Sequence, residues 1–244
     1  MIIFQDAVKS YDGRKNAIDH VSLEIRDGEI FGFLGRNGAG KTTAIHMMTG
    51  IIPITSGAIQ INGFDVEKDD LSAKRQIGYV SDDPNVFLRL KGIEYLNFVA
   101  DMYEVPSDLR TQRIEQLAGQ MDILDALEAK IQSYSHGMRQ KIVVVGSLLH
   151  DPAVWILDEP MTGLDPKSSF TLKEMMRRRA DSGKTVLFST HILDTAEKVC
   201  DRIAVINRGK ILFCGTLPEM REHFRANESL EQMFLEITEE GKDV

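Results

Sequence analysis

The spacing of apolar positions changes several times along this chain, and the changes mark its elements. Residues 2–9 and 17–25 alternate apolar and polar side chains, as a strand with one buried face does, with Tyr11-Asp12-Gly13 as the turn between them. Ile30 to Leu34 (I-F-G-F-L) is a short unbroken apolar run, the pattern of a strand buried on both faces. Glycines follow, then a helix from about Lys41 to Met48. Residues 57–66 carry Ile59, Ile61 and Phe64 around an Asn62-Gly63 turn; residues 70–76 read as helix and Ile77 to Val80 as another short strand.

From about residue 85 to 149 the period becomes helical. Ile93, Leu96, Phe98, Val99 and Met102 form one set, Leu109, Ile114, Leu117 and Met121 a second, and Ile142 to Leu149 a third; Asp151-Pro152 ends the stretch. It reads as a helical insert. Strands and helices then alternate again: strand Val154 to Leu157, helix Pro166 to Ala180 closed by Gly183, strand Thr185 to Ser189, helix Ile192 to Val199, and a hairpin of 203–206 and 210–214 around Arg208-Gly209. Such alternation predicts an α/β fold with a mostly parallel sheet covered on both faces. In the tail, Leu230, Met233, Phe234 and Ile237 are spaced as one face of an amphipathic helix packed on the body.

Composition narrows the partners. A chain of 244 residues can bury one substantial core with a small subdomain. A formal charge of −8 argues against a general nucleic-acid binder, which carries a basic face. Arg177, Arg178 and Arg179 form one short basic run, read as a solvated helix face. Cys200 and Cys214 lack metal-ligand spacing and lie in apolar stretches, so both are expected to be buried free thiols of a reducing compartment. The start, M-I-I-F-Q-D, shows no signal peptide, and no run of 18 apolar residues is present to span a membrane; service at a membrane would need a partner.

Chemistry enters at Gly35-Arg36-Asn37-Gly38-Ala39-Gly40-Lys41-Thr42, which fits G-x-x-x-x-G-K-[ST] between an apolar strand and a helix. Glycines let backbone N–H groups wrap phosphates, and the helix N-terminus adds partial positive charge. Lys41 reaches the β- and γ-phosphates and the Thr42 hydroxyl can ligate Mg2+. Val154-Trp155-Ile156-Leu157-Asp158-Glu159 supplies the matching carboxylates at a strand C-terminus, where open α/β sheets hold their ligands. Asp158 suits Mg2+, and Glu159 stands where it can take a proton from an attacking water.

Tyr134-Ser135-His136-Gly137-Met138-Arg139-Gln140-Lys141 resembles the L-S-G-G-Q-x-Q-R signature of ATP-binding-cassette (ABC) ATPases, and it precedes the Asp-Glu pair as that family requires. Met161-Thr162-Gly163-Leu164-Asp165 resembles the family's D-loop, and Ser189-Thr190-His191 its switch-histidine segment. Tyr11 stands where the family stacks an aromatic ring on adenine. The likeness runs over about residues 2–215 and is strongest to the ATPase subunit of a bacterial exporter-type system with a separate permease. It implies a P-loop NTPase (RecA-like) core with an N-terminal antiparallel β subdomain and a helical signature subdomain. The expected division is an ATPase domain over 1–220, with the helical subdomain at about 83–149, and an amphipathic tail over 221–244.

The resemblance also implies roles. ATP would be held by Tyr11, Asn37, Gly38, Ala39, Gly40, Lys41, Thr42 and Thr43, and from a second ATPase subunit by Ser135, His136, Gly137 and Met138. Asp165 would tie the subunits together. Glu159 would be the general base and His191 would contact the γ-phosphate. The helix opening at Ser135 is an anion site in its own right, yet this chain's phosphates are already cradled at 35–43, so two complete sites need two chains, identical or related. The partners implied are that second subunit and an integral membrane permease, at the cytoplasmic face of a bacterial membrane, with residues 82–103 as the expected permease contact. No nucleic-acid partner is implied; a soluble ABC ATPase of DNA repair or translation is the alternative, without the coiled coils, cysteine clusters or tandem cassettes such proteins carry.

Two departures stand out. Asp82, in Ile77-Gly78-Tyr79-Val80-Ser81-Asp82, occupies the place of a Gln that touches Mg2+ or water in the family. It is shorter by a methylene and negatively charged, so metal binding is expected to persist with altered coupling. His136 and Met138 replace a Gly and the Gln of the signature; His136 either adds positive charge near a γ-phosphate or points outward.

Overall fold

The computed structural model describes residues 1–223 and 232–234. Two sheets form from the two kinds of apolar pattern. The alternating segments build a four-stranded antiparallel sheet of β1 (Ile2–Ser10), β2 (Asn16–Ile25), β4 (Ser56–Ile61) and β5 (Phe64–Asp65), in the order β2-β1-β4-β5. The short apolar runs build the second, from β3 (Ile30–Leu34), β6 (Ile77–Val80), β7 (Val154–Asp158), β8 (Thr185–Thr190), β9 (Arg202–Asn207) and β10 (Lys210–Gly215). Its order is β10-β9-β3-β8-β7-β6, parallel throughout except for β10.

Period-2 geometry divides the core in two across this sheet. Phe31, Phe33, Val154, Ile156 and Leu187 point to one face, where α1 (Lys41–Met48) and the antiparallel sheet cover them. Ile30, Trp155, Leu157, Val186 and Phe188 point to the other, under α3 (Gly92–Met102), α4 (Ser107–Gln120), α5 (His136–Leu148) and α6 (Pro166–Asp181). Trp155 is fully buried and its indole N–H donates to Ser147 Oγ at 3.0 Å, so its polar atom is satisfied inside the core. Truncating a side chain of that size costs about 3–5 kcal/mol. A smaller cluster joins Leu34, Ile203 and Val205 to α7 (Leu193–Val199), α8 (Leu217–His223) and the buried Met233 and Phe234. The rest of the expected 221–244 tail helix, with Leu230 and Ile237, lies outside the described residues. Among the described residues no helix is long and apolar enough to cross a membrane.

Three expectations need correction. Residues 85–91 are not helical: Gln132 and Ile131 donate backbone bonds to Leu88 O and Leu90 O, both at 2.9 Å, and Val86, Leu88 and Leu90 turn inward at strand-like spacing. The run Arg177–Arg179 is not one solvated face. Arg178 is exposed, but Arg179 lies over the Trp155 ring at 5.9 Å and pairs with Asp151 at 3.1 Å, and burial lowers its pKa. Cys214 is exposed on β10, whose alternation turns Ile211 and Phe213 inward instead; only Cys200 is tucked under the sheet, where burial raises its pKa.

Candidate active site

The turn between β3 and α1 makes the site. Gly40 has φ +115°, and a Cβ there would sit 2.8 Å from Ala17 O, so only glycine lets the turn pass β2 this closely. Ala44 N then donates to Gly40 O at 2.9 Å and the helix begins. The N-terminus of α1 opens into a cavity of about 660 Å3, on whose wall stand Tyr11, Asn37, Gly38, Gly40, Lys41, Thr42, Thr43, Asp82 and Glu159. Ala39 is buried behind the turn, its carbonyl accepting from Gly209 N at 2.8 Å, and lines no part of the wall. Asp12, Lys15, Asn16, Ala17, Arg36 and Arg208 complete the lining, adding three cations and one carboxylate to those of Lys41, Asp82 and Glu159.

Asp158 ends β7 fully buried, in register with Ser189 of β8. The Ser189 hydroxyl donates to Asp158 Oδ1 and accepts from Glu159 N at 3.1 Å, so one side chain holds both carboxylates' positions. Burial raises the Asp158 pKa; the hydrogen bond from Ser189 and the nearby Thr42 hydroxyl oppose this, and the charges of Asp82 and Glu159 add to it. Asp158 Oδ2 is buried with no hydrogen-bond partner among the described residues. A buried carboxylate oxygen in that state, with the Thr42 hydroxyl beside it and a second carboxylate on the cavity wall, is the hard-oxygen donor set that suits Mg2+.

Glu159 carries φ +46°, a left-handed backbone unusual for a non-glycine residue and characteristic of functional sites. Its Oε1 lies 3.4 Å from Lys41 Nζ and its Oε2 3.0 Å from His191 Nδ1. Lys41 Nζ also donates to Gly35 O at 2.8 Å. His191 is thus joined to the site through Glu159, with half of its side chain exposed.

Ser135, His136, Gly137, Met138 and Asp165 are not on the cavity wall. Ser135 caps α5, its Oγ accepting from Met138 N at 3.3 Å, and is exposed, as is His136. Met138 packs into the helical core. Asp165 caps α6, and hydrogen bonds from the Ser168 hydroxyl and N–H pull its pKa down to about 2.

The family model for ABC transporters matches residues 18–162. The chain belongs to the ABC transporter family. It is 33% identical over 239 residues to the ABC transporter ATP-binding protein NatA of Bacillus subtilis, covering 96% of this chain and 97% of that one. It is 37% identical over 201 residues to an uncharacterised ABC transporter ATP-binding protein of Nostoc sp., spanning 82% of this chain but 59% of that protein. A solved ATP-binding subunit of an ABC transporter superposes with a TM-score of 0.93 at 31% identity, over 98% of this chain and 99% of that one.

The ABC subunit is accordingly an ATP-binding ATPase, and two further features of it escaped the sequence reading. Ser189 was legible only as part of the switch segment, although a polar residue inside an apolar strand that pairs with Asp158 is itself a signal. A groove of about 360 Å3 runs between the core and α3, lined by Ile51, Lys74, Tyr79, Met102 and Tyr103, together with Leu71 of α2 (Asp70–Arg75). Leu71, Met102 and Ile51 are 71%, 65% and 54% exposed there, an unusual density of solvent-facing apolar side chains. Of the 82–103 segment only Met102 and Tyr103 line it; Phe87 is exposed and packs at a tilt against Phe98, ring centroids 5.2 Å apart.

Proposed function

We propose that this subunit hydrolyses ATP in a head-to-tail pair and drives a separate permease, most simply as a homodimer, on the cytoplasmic face of a bacterial membrane. The observation that carries this reading is the separation of the two anion-binding helix starts. The N-terminus of α1 opens into the cavity with Lys41, while the capped N-terminus of α5 stands outside it. A second copy turned end for end would bring its Ser135, His136 and Gly137 to the phosphates held by Asn37–Thr43, with Asp165 at the junction.

In this reading Tyr11 stacks on adenine. Backbone N–H groups of the 35–43 turn and Lys41 hold the phosphates, aided by Arg36, Lys15 and Arg208 on the wall. Thr42, Asp158 and Asp82 would hold Mg2+, which when bound neutralises phosphate charge. Glu159 accepts the proton of the attacking water, and His191 orients Glu159 through the 3.0 Å contact and faces the γ-phosphate. ATP binds the closed pair better than the open one, so binding closes the dimer and product release reopens it. The apolar groove beside α3 suits an apolar helix end of the permease, and the α3–α5 helices form the mobile unit that carries it.

The test is the Glu159→Gln protein with ATP and Mg2+ on a sizing column. ATP-dependent dimers with hydrolysis abolished are expected. A protein that stays monomeric at saturating ATP would refute the shared-nucleotide reading.

A further inference from the structure

Lys9 sits where β1 stops alternating. Ala7, Val8 and Lys9 are buried one after another, and the pairing of β1 with β2 shifts register on both sides of Lys9. Irregularities of this kind re-aim a side chain. Here the aliphatic stem is turned inward, leaving only 8% of the residue exposed. Lys9 Nζ donates to Pro53 O, in the loop between α1 and β4, at 2.6 Å. A lysine this deep is ordinarily paired, yet among the described residues no carboxylate pairs with it. What the ammonium faces instead is an aromatic ring. It lies over Tyr11, 5.3 Å from the ring centroid, within cation–π reach. Tyr11 is on the wall of the nucleotide cavity and Lys9 is not, so the ring stands between the cation and the cavity. The ring has little else to fix its orientation, being 66% exposed. Its loop is held by Gly13 N donating to Ser10 Oγ at 3.0 Å and by Arg14 N and Lys15 N donating to Asp12 Oδ1 at 2.9 and 3.1 Å. Those bonds set the backbone and leave the ring to Lys9.

We propose that Lys9 is a positioning residue for the nucleotide base: its buried ammonium holds the Tyr11 ring from behind and leaves the opposite face presented to adenine. The inference rests on the reading that adenine stacks on Tyr11, and adds to it the group that sets this platform. Two effects follow from the geometry. An exposed ring fixed before ATP arrives need not be ordered on binding, which raises affinity. The cation also draws π density away from the face turned to the cavity, and an electron-rich base stacks better on a ring so depleted. Through Pro53 the same ammonium is tied to the loop leaving α1, the helix whose other end opens at the phosphates. One rigid helix thereby fixes both ends of the nucleotide site, base platform and phosphate turn.

The experiment titrates the full-length protein by calorimetry with ATP and with inorganic tripolyphosphate, each in Mg2+. Tripolyphosphate has the phosphates without the base, so it reports the 35–43 turn alone. Tyr11→Leu comes first and is expected to bind ATP about tenfold more weakly, with tripolyphosphate affinity held within about twofold. Unchanged ATP affinity in that protein removes adenine from Tyr11, and the role of Lys9 goes with it. Given the loss, Lys9→Met, which keeps the stem and removes the charge, is expected to weaken ATP about fivefold and tripolyphosphate by less than about twofold. Added to Tyr11→Leu, the same substitution should weaken ATP by less than about twofold more, because a residue that acts through the ring has nothing to act on once the ring is gone. Lys9→Arg, which keeps a cation, should retain most of the ATP affinity. A Lys9→Met protein that binds ATP as the unsubstituted protein does overturns the proposal and leaves Tyr11 in its role. So does one that loses ATP and tripolyphosphate alike, one whose loss is undiminished in the Tyr11→Leu background, or a Lys9→Arg protein as weak as Lys9→Met.

Discussion

Replacing Ser189 by alanine removes one hydroxyl and two hydrogen bonds, and the structure gives the size of each loss. The bond donated to Asp158 serves a fully buried carboxylate whose other oxygen already lacks a hydrogen-bond partner among the described residues. A hydrogen bond to a charged group is worth about 1.5–3 kcal/mol. Taking about 2 kcal/mol, and about 1.4 kcal/mol per decade, Mg2+ should bind roughly thirtyfold more weakly, within the 10–100-fold range seen when partners of metal ligands are removed. The bond accepted from Glu159 N holds the left-handed turn of the proposed base; leaving that N–H unpaired costs about 1–3 kcal/mol, and if Glu159 is that base its loosening lowers kcat about tenfold. The assay is ATP hydrolysis against free Mg2+ at fixed saturating ATP, fitted for the half-saturating metal concentration and the plateau. A half-saturation point within twofold of the unsubstituted protein, with an unchanged plateau, would show that Ser189 holds neither carboxylate.

Glutamate at Met102 and Leu71, both solvent-facing on the groove, is expected to leave stability within about 0.5 kcal/mol and basal ATPase rate unchanged while the permease no longer co-purifies from detergent-solubilised membranes; retention of the permease would move the docking surface elsewhere. His150 stacks on Tyr103 at 3.7 Å and sits 3.0 Å from Ile77 O, and burial lowers its pKa from 6.5 to about 4. A depressed histidine favours the neutral form in the folded chain. Its contribution is therefore whole above pH 6.5 and drains as pH falls towards 4, about 2 kcal/mol between pH 7 and 5. Unfolding free energies from urea titrations at the two pH values should differ by this amount, and the difference should vanish in His150→Phe; the same pH dependence in both proteins would refute it.

The strands were legible almost to the residue because two different periods mark two different sheets: alternation in β1 and β2, unbroken apolar runs in β3 and β7. The phosphate turn, Asp158 and Glu159 were legible because their chemistry is tied to local order along the chain. What failed to show was whatever depends on distant partners. Val86, Leu88 and Leu90 are apolar in either a helix or an extended segment, and only their backbone bonds to Ile131 and Gln132 decide. Arg179 reads as a surface cation until Trp155 and Asp151 arrive from elsewhere in the chain. Arg208 and Lys15 line the cavity only because a hairpin and the β1–β2 loop converge on one turn. Ala39, inside the phosphate motif, faces the core, which the motif could not show because its pattern does not say which side chains point in.

The position of β3 in its sheet has a consequence for how the protein is made. This strand leads into the phosphate turn, yet Ile30 pairs with Val186 and Phe31 with Arg202. Both neighbours come from the last third of the chain, so closing them costs the entropy of very long loops. During synthesis the first 180 residues carry the whole G-x-x-x-x-G-K-T motif with its supporting strand unpaired on both edges. Nucleotide binding therefore waits until β8 and β9 have left the ribosome and paired with β3. An ATP-competent subunit is one in which strands more than a hundred residues apart along the chain have already met.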